Sequence, residues 1–347
     1  MCPASSTRMM IGDCKYARQE LELWEDCGGI GSRMEEAPLV SIVTPSLNQG
    51  CFIEETILSV KNQTYSNIEH IVVDGGSTDE TLDILRQYSD SIVWLSEPDE
   101  GQSDAINKGW RMSKGEILAY LNSDDIYKPW AVEMAVKYFA GHKDVDMVYG
   151  ECDIIDEEGE VTGQLPSTEF NLVELLCCRV GLPQPAMFFR RSVLEEVGYL
   201  DTNIHYAMDY DLFVRVGLKS KIKKIPQLLA DFRFCTGTKS SEVRYIFGND
   251  HIEILNKLYS TPELPPEVRA AERQAYSCTH ALIGLEHYST GQTKQARSHL
   301  MRSVALYPKQ LKSPLIVGAF TTSFLGSKVA KTLVKWKSML QGKRRPS

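Results

Sequence analysis

Residues 69–80 read EHIVVDGGSTDE, and this stretch decides the fold class. The apolar, β-branched run Glu69–Asp74 predicts a buried strand, and the two glycines that follow predict a tight turn. The residues Ser77-Thr78-Asp79-Glu80 match a capping box, which predicts a helix over Glu80–Tyr88. A strand, a glycine turn and a capped helix together make one β-α unit.

The same alternation extends to both sides of this unit. The predicted strands are Leu39–Thr44, Glu69–Asp74, Ile92–Ser96, Glu116–Asn122 and Asp146–Gly150. The predicted helices are Ile53–Asn62, Glu80–Tyr88, Gln102–Met112 and one that follows Pro129. Continuous apolar strands that alternate with helices are typical of a mostly parallel sheet covered by helices on both faces. We therefore expect an α/β fold that binds its ligands at the carboxyl ends of the strands.

The alternation fades after residue 150, and the later segments are assigned one by one. The pattern predicts a strand at Ala186–Phe189, helices at Ser192–Val197 and Asp209–Leu218, and a strand or hairpin at Ile222–Phe234. The remainder is predicted to be helical. Residues 281–308 resemble one tetratricopeptide helical hairpin, and a single unit of this kind cannot form a solenoid. We therefore expect a C-terminal helical appendage.

Polar clusters follow the first four predicted strands. They are Thr44–Asn48, Asp74–Asp79, Glu97–Asp104 and Asn122–Asp125. Taken singly, each cluster is explained by turn chemistry or by a helix cap. In a parallel sheet all four meet at one edge, where their carboxylates repel each other unless a cation is bound. Oxygen ligands without His or Cys nearby favour Mg²⁺ or Mn²⁺ shared with phosphate oxygens.

Charge is spread unevenly along the 347 residues, whose net charge is −8. After Glu286 the sequence has 12 Lys and Arg and no Asp or Glu. Four apolar residues recur at helical spacing among these lysines: Val329, Leu333, Trp336 and Leu340. This pattern is typical of a helix at a membrane interface, so we expect residues 311–347 to bind an anionic membrane surface. A helix docked on the acidic body is the alternative. No nucleic-acid-binding module accompanies the charge, so no nucleic-acid partner is expected.

The nine cysteines form no recognisable pattern, since none has C-x-x-C spacing. Neither a zinc site nor a disulfide framework is indicated, which favours a reducing compartment. No segment reads as a signal peptide, and the apolar stretch Leu315–Ser327 is shorter than the ~20 residues of a spanning helix. We expect a cytoplasmic protein that associates peripherally with the cytoplasmic face of the membrane.

Six stretches within residues 38–240 resemble the inverting glycosyltransferases of family 2, which have the GT-A fold. They are PLVSIVTPSLN (38–48), the part of 63–78 that ends in VVDGGST, SEPDEGQSDAINKG (96–109), GEILAYLNSDD (115–125), QPAMFFR (184–190) and MDYDLFVR (208–215). The stretches occur in the family's order over more than half of the chain. The resemblance implies a GT-A-type single domain followed by the helical appendage.

The resemblance also implies a reaction and a division of the chain. A sugar would move from a nucleotide diphosphate sugar, by default a UDP sugar, to a hydroxyl of a glycan or lipid-linked acceptor. The expected regions are an extension (1–37), a glycosyltransferase domain (38–240), a helical appendage (241–310) and a basic amphipathic tail (311–347). Within the domain, residues 38–150 would bind the nucleotide sugar and residues 151–240 the acceptor.

Individual roles follow from the resemblance. The donor pocket would contain Thr44, Ser46, Asp74, Asp104 and Asp124, with Asp74 on the nucleobase and Asp124 near the ribose. Asp125 would hold the Mg²⁺ or Mn²⁺. Asp209 matches the family's catalytic base, although Met208 stands where the family usually has Glu. Asp211 is a rival base, which a helix would place about 200° round the axis from Asp209.

Three further positions have alternative interpretations. Gln184 would line the acceptor side or act as a structural amide. Arg233 and Lys239 would clamp phosphate from a mobile loop or belong to a solvated basic loop. His205, close to Asp209 in sequence, is a candidate acceptor contact.

Three other protein classes are alternatives to a glycosyltransferase. A sugar-phosphate nucleotidyltransferase needs a glycine-rich phosphate loop after the first strand, where this chain has Thr44–Asn48. A non-catalytic nucleotide-sugar or glycan-binding protein on the same fold is expected to lack Asp125 or Asp209. A glycoside hydrolase also uses paired carboxylates. The parallel α/β pattern and the family match favour the transferase.

Overall fold

The structure is a computed structural model that describes residues 37–235 and 244–325. The predicted N-terminal extension up to residue 36, Lys239, and the apolar residues of the tail from Val329 to Leu340 lie outside these ranges. The described residues carry the predicted strand-helix alternation and the C-terminal helices.

The first half of the described chain contains five strands and four helices. The strands are β1 (Val40–Ser46), β2 (Ile68–Asp74), β3 (Val93–Ser96), β4 (Ile117–Tyr120) and β5 (Ile126–Tyr127). The helices are α1 (Ile53–Lys61), α2 (Thr81–Gln87), α3 (Gln102–Met112) and α4 (Ala131–Gly141). Each lies where the sequence predicts it, apart from β5, which follows the Asp124-Asp125 pair.

The second half adds strands and helices to the same framework. The strands are β6 (Met147–Ile155), β7 (Val161–Gln164), β8 (Met187–Arg190) and β9 (Ile222–Arg233). The helices are α5 (Leu172–Leu176), α6 (Arg191–Val197) and α7 (Met208–Lys219), and a short 3-10 turn, Gln184–Ala186, precedes β8. The segment predicted as a strand or hairpin at Ile222–Phe234 is therefore one long strand.

The strands form one sheet in the order β3-β2-β1-β4-β8-β6-β9-β5, with β7 paired to β6. Strands β3, β2, β1 and β4 are parallel, as the sequence predicts. Strand β8 runs antiparallel to β4 and to β6, and β9 runs parallel to β6. The chain adds β2 and β3 on one side of β1 and then β4 on the other. This reversal of strand order leaves a crevice at the carboxyl ends of β1 and β4.

The core consists of apolar layers on both faces of the sheet. All seven residues of β1 are buried, because helices cover both sides of a central parallel strand. Trp110 of α3 is fully buried and makes edge contacts with Tyr120 of β4 and Phe189 of β8. The predicted α/β class is confirmed.

The capping box predicted at residues 77–80 is wrong. Helix α2 begins at Thr81, and the Ser77 hydroxyl donates to Asp74 and accepts from the Asn48 amide instead. Asp79 instead accepts a hydrogen bond from the first backbone amide of the helix, since its Oδ1 lies 3.1 Å from the Thr81 nitrogen. Ser77 is thus used to join the turns that follow β1 and β2.

Helices follow the sheet in the remaining described residues. They are α8 (Arg244–Tyr259), α9 (Pro266–Ala270), α10 (Glu272–Ser289), α11 (Thr293–Leu306) and α12 (Pro314–Thr322). Helices α10 and α11 pack through a small core that α12 completes, formed by Ala281, Tyr288, Ala296, Leu300, Ile316 and Ala319. Among residues 37–235 and 244–325, no helix has both the length and the apolar character needed to cross a bilayer.

His70 of β2 couples the stability of the sheet to pH. Its Nε2 lies 2.9 Å from Thr44 Oγ1, and burial lowers the pKa of His70 to about 3. The same side chain in the unfolded protein titrates near the ordinary value of about 6.5. As pH falls through this window, the unfolded chain takes up a proton that the folded chain excludes. The free energy of unfolding therefore decreases by about 1.4 kcal/mol per pH unit from this residue alone.

We expect His70→Gln to remove this dependence, because glutamine can still hydrogen-bond Thr44 but does not titrate. The free energy of unfolding, measured by urea denaturation at several pH values between 6.5 and 4.5, should fall less steeply in the variant. The expected difference in slope is about 1 kcal/mol per pH unit. Parallel curves for the two proteins would contradict the assignment of a buried neutral imidazole.

Candidate active site

A cavity of about 590 Å³ opens where the strand order reverses, at the carboxyl ends of β1 and β4. Its walls come from segments that are distant in sequence. They include Pro45–Leu47 and Gln49 at the end of β1 and directly after it, Asp99, Gly101 and Gln102 before and within α3, Asn122–Asp124 after β4, Leu182–Pro185 before β8, Tyr206, Met208 and Asp209 before and at the start of α7, Arg233 at the end of β9, and Phe247 of α8. Loops from both halves of the sheet therefore meet in one space.

The two β1 residues predicted to bind the donor occupy different environments. Ser46 lines the cavity, and its buried Oγ has no hydrogen-bond partner within the described residues. Thr44 is fully buried, bonds to His70 and is not among the lining residues. A buried hydroxyl without a partner is costly unless a ligand pairs with it. The Ser46 hydroxyl is therefore available to a ligand in the cavity, whereas the Thr44 hydroxyl bonds to His70 inside the core.

Asp74 supports the turn after β2 and does not line the cavity. Its Oδ2 accepts hydrogen bonds from the amides of Gly76 and Ser77, at 3.0 and 2.9 Å, and from Ser96 Oγ at 2.7 Å. Its Oδ1 accepts from Ser77 Oγ. The carboxylate is fully buried and fully used inside the protein. Its contact with the nucleobase stays a prediction, since Asp74 is not among the residues that line the cavity.

Asp104 also lies away from the cavity lining. It stands in the first turn of α3, where its Oδ2 accepts from the Glu100 amide at 3.2 Å and lies 3.2 Å from Lys108 Nζ. The cavity receives Asp99 from the same loop instead. Asp99 belongs to the polar cluster Glu97–Asp104 that follows the third predicted strand, and no role was predicted for it.

Asp124 and Asp125 are adjacent but have different surroundings. Asp124 lines the cavity, and burial raises the pKa of its carboxyl group. Asp125 is fully buried, and its Oδ1 and Oδ2 accept from the Arg233 amide at 3.0 Å and from Asn122 Nδ2 at 3.1 Å. Burial, together with the Asp124 carboxylate, raises the pKa of Asp125 well above its ordinary value. Asp125 is not among the residues that line the cavity, and one protein donor meets each of its oxygens, so its role as the metal ligand stays a prediction.

Gln184 belongs to the network that orients the segment after β4. Its Nε2 donates to the Tyr120 carbonyl at 2.8 Å, and its Oε1 accepts from Asn122 Nδ2 at 3.2 Å. Asn122 Oδ1 in turn accepts from Gln102 Nε2 at 2.7 Å. The structural-amide alternative for Gln184 therefore describes its contacts, although the residue also lines the cavity.

Arg233 is the last residue of β9 and is held in place on every side. Only 2% of it is exposed, and its guanidinium donates to the carbonyls of Asp124, Asp156 and Glu157 at 3.0–3.1 Å. The remaining nitrogen, Nη2, lies 2.5 Å from Glu55 Oε2. The residue is therefore a fixed part of a strand, and the prediction that placed it in a loop is wrong.

Helix α7 presents one of its two acidic residues to the cavity. Asp209 lines the cavity from the first turn, and its Oδ1 accepts from the Tyr210 amide at 2.8 Å. Asp211 is buried and forms an ion pair with Arg215 at 2.8 Å. Met208 also lines the cavity, and its sulfur accepts from Ser103 Oγ at 2.9 Å. The separation of Asp209 from Asp211 follows the helical geometry on which the sequence argument was based.

The loop before α7 is anchored from the C-terminal helices. Asp250 Oδ2 of α8 accepts from the amides of Tyr206 and Ala207, at 2.8 and 3.1 Å. The His251 ring stacks on Tyr210 with 4.0 Å between the ring centroids. His205 is exposed and is not among the lining residues. Sequence reasoning had no signal for Asp250, since its partners are backbone amides more than 40 residues away.

The oxygen ligands of the cavity fit a divalent cation that is shared with a bound ligand. In the described part of the chain, no three His, Cys, Asp or Glu residues are arranged to hold an ion alone. Mg²⁺ and similar ions instead use one or two carboxylates and complete their shell with water and substrate phosphates. Asp124 fits this use, because no donor from another described residue hydrogen-bonds its carboxylate.

Comparison with known proteins gives this cavity a context. The profile of Glycosyl transferase family 2 matches residues 41–198. An uncharacterized glycosyltransferase of Mycobacterium tuberculosis is 32% identical over 220 residues, which cover 62% of this chain and 83% of the relative. The chain belongs to glycosyl transferase family 2. A second relative, the PGL/p-HBAD biosynthesis glycosyltransferase of Mycobacterium bovis, is 29% identical over 52% of this chain and 70% of its own. The chain is a glycosyltransferase.

Solved structures of the same class share its fold. Residues 1–349 of Staphylococcus aureus TarS in complex with UDP-GlcNAc superpose with a TM-score of 0.58 at 18% identity, over 88% of this chain and 92% of that one. The chain covers 55% of a longer TarS chain. The mannosyltransferase PcManGT of Pyrobaculum calidifontis, in complex with GDP-Man and Mn²⁺, has a TM-score of 0.57 at 16% identity, over 91% of this chain and 93% of that one. Both solved glycosyltransferases therefore share the fold of this chain.

Proposed function

We propose that this enzyme is an inverting glycosyltransferase that moves a sugar from a UDP sugar to a hydroxyl of a glycan or lipid-linked acceptor. The observation that carries the proposal is the composition of one cavity. It combines Asp124 after β4, the unpaired hydroxyl of Ser46 after β1 and Asp209 at the start of α7. A site for a charged, polyhydroxylated donor and a base for an incoming hydroxyl would need these groups close together.

The fold relatives support a nucleotide sugar as the donor. One of them is described with UDP-GlcNAc and another with GDP-Man and Mn²⁺. We propose that the donor's nucleotide lies across the ends of β1 and β4, where ligands of such sheets bind. Ser46 would pair with it, since its hydroxyl has no partner among the described residues. The proposed domain division keeps residues 38–150 as the nucleotide-sugar half.

Asp124 is the proposed ligand of a Mg²⁺ or Mn²⁺ ion, in place of Asp125. When bound, such an ion would supply positive charge to the departing diphosphate. Asp125 would act indirectly by fixing the segment that carries Asp124, through its bonds to Asn122 and Arg233. Gln184 would extend this support from the β8 side, through Asn122 and the Tyr120 carbonyl.

Asp209 is the proposed general base. As the acceptor hydroxyl attacks the anomeric carbon, its proton would pass to the Asp209 carboxylate while the sugar–phosphate bond breaks. A single displacement of this kind inverts the anomeric centre. Met208, the preceding residue, lines the same cavity, and its sulfur accepts a hydrogen bond from the Ser103 hydroxyl. Asp211 is unsuited to the role, because it is buried in its pair with Arg215.

The first test separates chemistry from binding at α7. Asp209→Asn keeps the shape of the side chain and removes its basicity, so single-turnover transfer should fall by ~10²–10⁴-fold. Affinity for the donor, measured by calorimetry, should change only a few-fold. Asp211→Asn is the matched control and should retain transfer in the folded fraction. If Asp211→Asn is inactive and Asp209→Asn is active, the proposed base is wrong.

The second test concerns the cation. Affinity for UDP or GDP, whichever binds the wild type, should rise when Mn²⁺ is present. Asp124→Asn should lose roughly 10–100-fold of this Mn²⁺-dependent affinity, the size of one contact to a charged group. Asp83→Asn, which changes an exposed acid of α2 outside the cavity lining, is the control and should keep the response to Mn²⁺. Equal affinity with and without Mn²⁺ in all three proteins would exclude the proposed ion.

We also propose that the C-terminal part of the chain binds an anionic membrane surface. The described residues nearest the basic tail expose large apolar side chains: Leu311 at 59%, Leu315 at 48% and Phe324 at 64%. Arg297 lies over the Phe324 ring, 4.8 Å from its centroid. Exposed apolar side chains among lysines and arginines, with no acid after Glu286, match the chemistry of an acidic lipid surface.

The membrane proposal is tested with liposomes that contain acidic phospholipid, at low salt. The full chain should sediment with them, whereas Leu315→Glu with Phe324→Glu should weaken sedimentation, because each change adds an anion to the contact surface. Val161→Glu on β7, which is also 59% exposed, is the matched control and should sediment like the wild type. If the full chain does not sediment with the liposomes at low salt, the alternative is the better account, in which the tail docks on the acidic body.

A further inference from the structure

Gly75, at the carboxyl end of β2, leaves a space that another residue fills. A Cβ atom on Gly75 would lie 2.6 Å from Asp99 Oδ2 and 3.1 Å from Asp99 Cγ. The carboxylate of Asp99 thus occupies the position where a side chain at residue 75 would begin. Asp99 comes from the loop between β3 and α3, and it is among the residues that line the cavity. An acidic group therefore stands beside the end of β2 although the chain itself has glycine there.

The orientation of the Asp99 carboxylate is fixed by its own loop. Its Oδ1 accepts a hydrogen bond from the Gly101 amide at 2.9 Å. Gly101 has a φ of +113°, a backbone conformation that favours glycine, and helix α3 begins directly after it. With Oδ1 used by the loop, Oδ2 remains for another donor. Within the described residues, no protein donor is recorded for Oδ2.

The surroundings of Asp99 suit the edge and the face of a flat ring. The Gly75 amide donates to the Ser46 carbonyl at 2.8 Å, so the ends of β1 and β2 are joined beside it. Leu47, the next residue along β1's loop, is 53% exposed and lines the same cavity. An apolar side chain offers contact to a ring face, and a carboxylate oxygen can only accept a hydrogen bond. The complementary ligand edge is a ring N–H.

We propose that Asp99 selects the nucleobase, by accepting a hydrogen bond from the N3–H of a uracil or thymine ring through Oδ2. The inference rests on the proposed function, because it assumes a nucleotide donor in this cavity. Cytosine presents an unprotonated N3 at the same edge, which a carboxylate repels. Guanine presents two adjacent donors, N1–H and the 2-amino group, and matches a carboxylate with both oxygens available. With Oδ1 committed to Gly101, the single donor of uracil or thymine is the better match.

This role replaces the one that the resemblance gave to Asp74. Asp74 accepts four hydrogen bonds from Gly76, Ser77 and Ser96, so both of its oxygens already have protein donors. It holds the turn that contains Gly75 and so determines where Asp99 can lie. Recognition and support are thereby divided between two acidic residues from different loops.

The test measures nucleotide selectivity by calorimetry with UDP, CDP and GDP in the presence of Mn²⁺. The wild type should bind UDP more tightly than CDP by roughly 10- to 100-fold, the range for one hydrogen bond to a charged group. Asp99→Asn should abolish or invert this preference. Its Oδ1 can still accept from Gly101, which places the amide NH₂ where Oδ2 was, facing the acceptor N3 of cytosine. Glu100→Gln removes a neighbouring exposed charge and should leave the ratio unchanged.

A second variant keeps Asp99 intact and moves it. Gly75→Ala places a methyl group against Oδ2, so the carboxylate must turn away and the preference for UDP should shrink towards that of Asp99→Asn. Thermal melts of both variants check that they are folded.

The possible results distinguish an error in the role of Asp99 from an error in the proposed function. If the wild type prefers UDP but both variants keep its UDP-to-CDP ratio, the role of Asp99 is wrong and the proposed function stands. Tighter binding of GDP or CDP than of UDP by the wild type overturns the uracil or thymine assignment and, with it, the proposed UDP sugar, whereas the proposed transferase chemistry stands. If the wild type binds none of the three nucleotides, the proposed donor site and the inference fail together.

Discussion

The guanidinium of Arg233 is buried, and the shape of the cavity depends on the way it is paired. A buried cation is tolerated only when acceptors surround it. Here the acceptors are the Asp124, Asp156 and Glu157 carbonyls and the Glu55 carboxylate. They belong to the segment after β4, the turn after β6 and helix α1. One residue at the end of β9 therefore joins two loops and a helix around the cavity.

The buried carboxylate of Asp125 completes this arrangement. It accepts the Arg233 amide and the Asn122 side chain, while its own carbonyl accepts from Thr56 Oγ1 at 2.8 Å. With Asp125 held below, its neighbour Asp124 reaches the cavity. Two identical adjacent residues thus have distinct roles, and the cause is the set of partners around them rather than their own chemistry.

The parallel half of the fold could be predicted because its signals are local. Strands β1 to β4 and the helices between them follow from apolar runs, glycine turns and helical spacing. The choice of Asp209 over Asp211 was also local, since two residues in a helix point in different directions. In each case the deciding neighbours lie within a few positions of the residue concerned.

Other assignments depended on partners that a pattern does not reveal. Asp125 accepts a hydrogen bond from Arg233, which is 108 positions further along the chain. Asp74 accepts one from Ser96 on the neighbouring strand. The Asp99 carboxylate lies in the space that a side chain at Gly75 would fill. The sequence shows the glycine but not which residue fills this space. Such residues can be recognised as polar and as close to a strand end. Whether they face the ligand or the protein depends on tertiary packing.

Helix α8 limits where this enzyme can be divided into independent parts. Its Asp250 binds the two backbone amides before Met208, and its His251 stacks on Tyr210, so both sides of Asp209 rest on this helix. The boundary of the transferase unit therefore cannot be drawn at the end of the sheet. A chimaera that joined residues 38–235 to the helices of a relative would need an equivalent of this aspartate and this ring. The segment after the sheet therefore supports the backbone on both sides of Asp209, and replacing this segment would remove these contacts.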